Sequence, residues 1–203
     1  MWADDTEKII YALDYVTSEI RSFKGIINDK DNYRMDIEDY LGGIKEALHF
    51  WTGNTYVGRR KDKAIEEAFQ TFFVELYDLL LSGRNCKILE LRKLSNSALC
   101  QGVVYRYLGH SADDLYDGKH KSVVVPEYND IYVSWSKNTD INTVPSKLYG
   151  PQTLLKCEIK DSFYGIDLEP FGVCKSNERE VVFPTIKELI TDCTIIEEDD
   201  TEE

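Results

Sequence analysis

The hydrophobic pattern of this chain changes near residue 100, and this change limits the folds that the chain can adopt. Before it, apolar residues such as Ile9, Leu13 and Val16 recur at spacings of three and four residues, which predicts amphipathic helices. After it, short apolar runs alternate with Gly, Pro, Asn and Asp, which predicts strands with few helices between them. We therefore expect an α+β fold in which helices precede antiparallel sheet structure.

Segments of the first half have the periodicity of helices, and short runs of the second half have the composition of strands. The predicted helices cover residues 4–29, 34–51, 61–83 and 88–99, and Gly83 is expected to end the third. The predicted strands cover residues 102–109, 130–138, 153–161, 163–168, 180–184 and 193–199. The chain thus divides into a helical region (1–97), a strand-rich core (98–195) and an acidic tail (196–203) that we expect to be disordered.

The charge and the hydropathy of the chain indicate which partners and which compartment to expect. The sequence holds 37 acidic and 24 basic residues, a formal net charge of -13, which repels nucleic acids and anionic membranes at long range. No apolar run reaches the ~18 residues that a membrane-spanning helix needs. The first residues lack the basic and apolar regions of a signal peptide. We expect a cytoplasmic protein with no membrane partner.

The candidates for a metal site are weak. The five cysteines are odd in number and form no C-x-x-C pair, so we expect free thiols in a reducing compartment and no zinc site. His110 and His120 flank "SADDLYDGK", but its acids lack the spacing of a calcium loop, which favours a solvated loop. The basic cluster at 58–63 is interpreted as the solvated start of a helix. We predict no metal cofactor.

Three stretches of the second half carry polar groups that a simple sheet does not require. Arg106 interrupts the apolar run "VVYRYLG", where a buried cation needs an anion to offset its desolvation. In "IYVSWSKN", alternation puts Ser134 and Ser136 on one face and Trp135 on the apolar face. In "SNEREVVFP", two glutamates one residue apart stand before a strand, and alternation predicts that both face the same side.

The order of these stretches resembles the R-S-E class of NAD⁺-dependent ADP-ribosyltransferases. The pattern of that family is an aromatic-Arg pair, then aromatic-x-Ser-Thr-Ser, then Glu-x-Glu, and here these are Tyr105-Arg106, residues 132–136 and residues 178–180. The resemblance covers about residues 98–195 and implies a core of two packed, mainly antiparallel sheets. Two positions depart from the pattern, because Tyr107 stands in place of a glycine and Trp135 in place of the middle threonine.

The resemblance also implies roles for individual residues. Glu180 is expected to stabilise the ribosyl cation that forms when the nicotinamide bond breaks, and Glu178 to activate an arginine acceptor. Within the NAD⁺ site, Arg106 is expected to bind the pyrophosphate or the neighbouring ribose, and Ser134 to hold Glu180 in place. The other implied contacts come from Ser136 and Tyr149 to NAD⁺, and from Phe171 to the target.

The acceptor and the biological role stay open at this stage. The resemblance implies mono-ADP-ribosylation of a cytosolic protein arginine by a bacterial or phage enzyme, such as a toxin with a possible antitoxin or immunity partner. Transfer to RNA or DNA bases and plain NAD⁺ glycohydrolysis are alternatives that keep the chemistry. A non-catalytic binding protein with a degenerate core is an alternative of another class.

Overall fold

The computed structural model describes residues 3–27, 37–52, 63–108, 116–117, 122–123, 132–138, 152–174, 179–184 and 186–196. These ranges form four α-helices, a curled seven-stranded antiparallel sheet and a two-stranded ribbon. The predicted mixture of helices followed by strands is thus confirmed, whereas the predicted packing of two sheets stays a prediction. The helices are α1 (Ala3–Ile26), α2 (Glu38–Thr52), α3 (Lys63–Gly83) and α4 (Leu89–Ala98).

The strands are short, as the sequence predicted. They are β1 (Leu99–Cys100), β2 (Gly102–Leu108), β3 (Tyr116–Asp117), β4 (Ser122–Val123), β5 (Tyr132–Ser136), β6 (Gln152–Ile159), β7 (Gly165–Asp167), β8 (Glu180–Pro184) and β9 (Ile190–Ile196). Two 3-10 turns cover Glu169–Phe171 and Lys187–Leu189. The chain divides into two compact units, the first holding Met1–Leu99 with Leu168–Cys174 and the second holding Cys100–Asp167 with Lys175–Glu203.

The first unit buries the apolar stripe of α1. Its predicted members are at most 8% exposed, which confirms the helical periodicity: Ile9, Leu13, Val16, Ile20 and Phe23. An aromatic cluster continues this core, in which the ring of Trp51 on α2 lies 4.7 Å from Phe73 and 5.1 Å from Phe69, both on α3. Edge-to-face aromatic pairs of this kind add to the stabilisation that comes from burial alone.

Gly83 ends α3, as predicted, but its φ is not left-handed, and close packing accounts for a glycine at this position. A Cβ atom at this position would lie 2.2 Å from Ser95 Oγ and 3.0 Å from Leu91 Cγ, both on α4. The missing side chain therefore lets α3 and α4 approach each other closely.

An ion-pair network joins α1 to α3. Glu75 accepts hydrogen bonds at 2.7 Å from both Lys24 Nζ and Arg21 Nε, and Lys24 also contacts Asp78 at 3.2 Å. Hydrogen bonds from Lys24 and then Arg21 lower the pKa of Glu75. Burial lowers the pKa of Lys24, but its hydrogen bonds to Glu75 and Asp78 outweigh burial, so that the net change is upward.

We expect the Glu75 network to make the stability of the protein depend on pH in the acidic range. Because folding depresses the pKa of this carboxyl, its stabilisation is present above the unfolded value of about 4.3 and is lost as the pH falls through the folded value. The measurement is urea unfolding by circular dichroism between neutral and acidic pH. Glu75→Gln should flatten the acidic part of the wild-type profile. Glu67→Gln, which breaks an exposed ion pair with Lys63, should leave the profile unchanged.

The second unit is built on the sheet, whose strand order is β1-β7-β8-β5-β2-β6-β9. Strand β8 therefore lies between β7 and β5, although β5 precedes it by more than forty residues in the chain. The register places Ser136 opposite Glu180 and Ser134 opposite Val182 in the antiparallel pair of β5 and β8. Strand β2 pairs with β6 along its whole length, from Gly102 to Leu108.

One face of this sheet is the core of the second unit. It holds a cluster of apolar side chains that are at most 4% exposed: Val104, Trp135, Leu155, Cys157, Ile159, Val181, Phe183 and Leu189. Gly165 on β7 makes this packing possible, because a Cβ atom there would lie 2.5 Å from Val181 Cγ1 and 3.0 Å from Ile159 Cδ1. Trp135 belongs to this cluster and Val133 packs against it, so the prediction that Trp135 faces the core is confirmed.

Candidate functional site

The candidate site lies where β5 and β8 run side by side, on the face opposite to the core cluster. Cross-strand partners share a face, so Ser136 and Glu180 point to the same side, and Ser134 follows them by alternation. Trp135 and Val181 point to the other side, where the core cluster lies. The two serines and the glutamate that the sequence singled out are therefore brought together.

The carboxylate of Glu180 is buried and held by a serine. Glu180 is 9% exposed, and Ser134 Oγ donates a hydrogen bond to its Oε1 atom. A carboxylate at this depth is costly unless hydrogen bonds replace its lost hydration, and hydrogen bonds to an ionised acceptor are among the stronger ones. The predicted role of Ser134, to hold Glu180 in place, therefore has a direct contact behind it.

Arg106 joins this pair through the main chain. Its Nη1 atom donates to the carbonyl oxygen of Ser134 at 2.6 Å. Ser134 thus contacts both residues, since its main-chain oxygen accepts from the Arg106 guanidinium and its hydroxyl donates to the Glu180 carboxylate. The sequence argument called for an anion beside Arg106, whereas this contact is a neutral carbonyl of the adjacent strand.

The position of Arg106 along β2 explains why the contact goes through the main chain. Val104 belongs to the core cluster, and alternation gives Arg106 the same face as Val104. The pairing of Tyr105 with Ser136 likewise puts Tyr105, rather than Arg106, on the face of Glu180. Alternation therefore gives Arg106 and Glu180 opposite faces of the sheet, and the carbonyl oxygen of Ser134, which lies near the plane of the sheet, is within reach of Arg106.

The backbone is strained immediately before Glu180. Arg179 has a φ of 42°, a left-handed value that costs a non-glycine residue about 1–3 kcal/mol and that recurs at functional sites. Its carbonyl accepts a hydrogen bond from the Lys137 amide at 3.1 Å. Since Arg179 is not extended, strand alternation ends at Glu180. The prediction that Glu178 and Glu180 share one face because they lie in one strand therefore loses its basis, and Glu178 itself lies outside the described residues.

The remaining predicted site residues differ in burial and in the contacts that the structure gives them. Ser136 is buried, and its Oγ atom accepts a hydrogen bond at 2.9 Å from the Asn138 amide, which turns the chain after β5. Phe171, in the 3-10 turn of the first unit, is 2% exposed. A contact with a target requires an exposed ring, so the structure corrects this assignment and gives Phe171 a core role. Tyr149 lies outside the described residues.

A half-buried ion pair near the start of β8 was not predicted from the sequence. Lys137 Nζ donates to Asp167 Oδ2, and Asp167 is 6% exposed. Its signal in the sequence is a charged residue at the end of each of two short apolar strands, "YVSWSK" and "GID". Burial raises the pKa of the nearby Cys100 thiol to about 11, although Lys137 lowers it in part, so this thiol is not a nucleophile at neutral pH.

The described part of the chain offers no other centre of this kind. Among its residues, no group of three or more His, Cys, Asp or Glu side chains is placed to hold a metal ion. Four of its cysteines, Cys86, Cys100, Cys157 and Cys174, are thiols that take no part in a disulfide. None of its helices combines the length and the apolar character that crossing a bilayer requires.

Comparisons with known proteins add no family to these observations. No protein-family model, no curated protein and no solved structure matches this chain.

Proposed function

We propose that this chain is an NAD⁺-dependent mono-ADP-ribosyltransferase that modifies an arginine of a cytosolic protein. The observation that carries the proposal is the pair of hydrogen bonds by which Ser134 contacts both Arg106 and Glu180. The sequence resemblance rests on these residue types in this order, and the contacts link them although 28 and 46 positions separate the partners in sequence. The proposal includes an ADP-ribosyltransferase-like core of two packed sheets and a cytoplasmic location.

The chemistry requires a carboxylate at the position of Glu180. Cleavage of the bond between nicotinamide and ribose sends the bonding electrons to nicotinamide, which leaves as a neutral molecule. A cationic oxocarbenium centre develops on the ribose, as in glycoside cleavage. A preorganised carboxylate close to this charge stabilises the transition state more than the substrate. The hydrogen bond from Ser134 supports this preorganisation, because it fixes one oxygen of Glu180.

The transfer step needs a nucleophile that attacks the ribose carbon. An arginine nitrogen would form the new C–N bond, and the proton that it loses would pass to a carboxylate, for which we propose Glu178. Plain hydrolysis would use water in the same place and would not need this second carboxylate. Arg106 supports the site by holding the main chain of Ser134, and its predicted contact with the NAD⁺ pyrophosphate stays a prediction, as do those of Ser136 and Tyr149 with NAD⁺.

The test of the proposal is incubation of the pure protein with labelled NAD⁺ and a cell lysate. Label would be sought separately in protein and in nucleic acid, and free nicotinamide would be measured beside them. We expect label on protein, at an arginine that mass spectrometry identifies. Label on nucleic acid bases would keep the chemistry and overturn the acceptor. The absence of both label and nicotinamide would remove the proposed activity.

Glu178→Gln should separate the two half-reactions. We expect transfer to protein to fall by about a hundredfold or more, since proton removal by a positioned base contributes on that scale. Nicotinamide release with water as acceptor should persist, because it depends on Glu180. The measurement is the ratio of transferred label to free nicotinamide, with Glu188→Gln as a control that removes an exposed carboxylate from the second unit. An unchanged ratio would contradict the role of Glu178.

A further inference from the structure

We infer that Lys137 is a positioning residue that fixes the start of β8, and with it the orientation of Glu180, by binding the residue before β8 and the last residue of the neighbouring strand β7. The inference rests on two contacts of Lys137, a residue that none of the sequence motifs included. The inference concerns the local structure of β8 directly, and its catalytic consequence rests on the proposed function.

The first contact of Lys137 is with the strained residue before Glu180. The Lys137 amide donates to the Arg179 carbonyl at 3.1 Å, one position beyond the pair of Ser136 and Glu180. A left-handed φ of 42° at a non-glycine residue persists where surrounding contacts hold it. This hydrogen bond is such a contact, since it fixes the peptide group that leads into Glu180.

The second contact of Lys137 reaches the other side of β8. The strand order places β8 between β5 and β7, and Lys137 directly follows β5. Its Nζ atom pairs with Asp167, the last residue of β7, which stands opposite Val181 in the sheet. The side chain of Lys137 therefore spans the beginning of β8, while its amide holds Arg179.

The partial burial of this ion pair strengthens the attraction between its two charges. The side chains of Lys137 and Asp167 are 26% and 8% exposed, so water and salt screen their attraction less than at the surface. The ion pair between Lys160 and Glu158 on the same unit is 48% and 45% exposed and thus serves as a matched control. Exposed pairs of that kind contribute little to local order.

The chemical consequence concerns where the Glu180 carboxylate points. Ser134 fixes one of its oxygens from β5, but this contact requires that β8 start in register with β5. Without the contacts of Lys137 with Arg179 and Asp167, Arg179 relaxes toward ordinary φ values and the Glu180 carboxylate loses its fixed orientation. Misplacement of a catalytic group on the scale of 1 Å reduces the rate by up to about a hundredfold.

The experiment compares Lys137→Met, which keeps the length and removes the charge, with the Lys160→Met control. Asp167→Asn provides a second and nearly isosteric way to weaken the same pair, should Lys137→Met fail to fold. Two readouts are taken on each protein: the kinetics of nicotinamide release, and hydrogen exchange of the amides at 179–182. We expect kcat to fall about ten- to a hundredfold with KM for NAD⁺ nearly unchanged. Exchange at 179–182 should become faster, and Lys137→Arg should restore both properties.

The two readouts keep the inference distinct from the proposed function. If the wild type releases no nicotinamide, the proposed function fails, and the exchange data alone decide whether Lys137 holds β8. Exchange at 179–182 that is as slow in Lys137→Met and Asp167→Asn as in the wild type would overturn the inference. So would full kcat in an active enzyme that carries either substitution, or an equal change in Lys160→Met.

Discussion

Replacing Glu180 by glutamine is expected to reduce nicotinamide release from NAD⁺ by about a thousandfold. A unit charge at ~4 Å from the developing cation, at an effective dielectric constant of about 20, contributes on the order of 4 kcal/mol, which corresponds to that factor in rate. Glutamine keeps the size of the side chain and can still accept a hydrogen bond from Ser134, so the variant removes the charge alone. The measurement is release of labelled nicotinamide under saturating NAD⁺.

The control for this variant must separate lost chemistry from lost folding. Because Glu180 is buried, its neutral isostere should unfold at the same urea concentration as the wild type or a higher one, as the desolvation cost of the charge disappears. Glu188→Gln, on an exposed turn, should keep full activity. An active Glu180→Gln protein would show that the carboxylate does not stabilise the transition state, and the proposed reaction would have to be abandoned.

Truncating Trp135 to alanine is expected to lower the free energy of unfolding by about 3–5 kcal/mol. Trp135 is 2% exposed within the core cluster of the second unit, and its Nε1 atom donates to the Phe183 carbonyl at 3.1 Å across β5 and β8. Removing the ring leaves a cavity between these strands and a buried acceptor without its donor. Urea unfolding followed by circular dichroism measures the loss.

A second variant at the same position divides this effect into its parts. Trp135→Phe keeps most of the buried ring and loses the hydrogen bond to Phe183, for which we expect a smaller cost of about 1–3 kcal/mol. If Trp135→Ala unfolds within about 1 kcal/mol of the wild type, the side chain does not fill the core as described. Since Trp135 faces away from Glu180, its departure from the Ser-Thr-Ser pattern concerns stability rather than the reacting groups.

Local periodicity predicted the parts of this fold that depend on neighbouring residues. The buried stripe of α1 follows from helical spacing, and the opposite faces of Ser134 and Trp135 follow from strand alternation. The same alternation does not extend from Glu180 back through Arg179, whose φ is left-handed and whose carbonyl accepts a hydrogen bond from Lys137 in a distant segment. Residue type gives no sign of this, since arginine has no preference for that conformation.

The candidate site was only partly predictable for a related reason. Arg106, Ser134 and Glu180 were found from motifs, but their linkage depends on the order in which β2, β5 and β8 lie in the sheet. The pair of Lys137 and Asp167 depends on β8 lying between β5 and β7, which no pattern within a single strand encodes. For Phe171 the sequence predicted a role that the packing does not support. Its position near the motif indicated a contact with the target, whereas its ring is buried.

The open sheet has a consequence for how copies of this chain behave toward one another. Its edges are β1, which is too short to template another strand, and β9, whose seven residues pair only with β6 within the described sheet. A sheet edge of that length is a template for strand addition from a second copy wherever it is accessible. The residues that follow β9 read "EEDDTEE", so that any such pairing would bring two dense runs of negative charge together. Repulsion between these runs would oppose edge-to-edge pairing of two copies at β9.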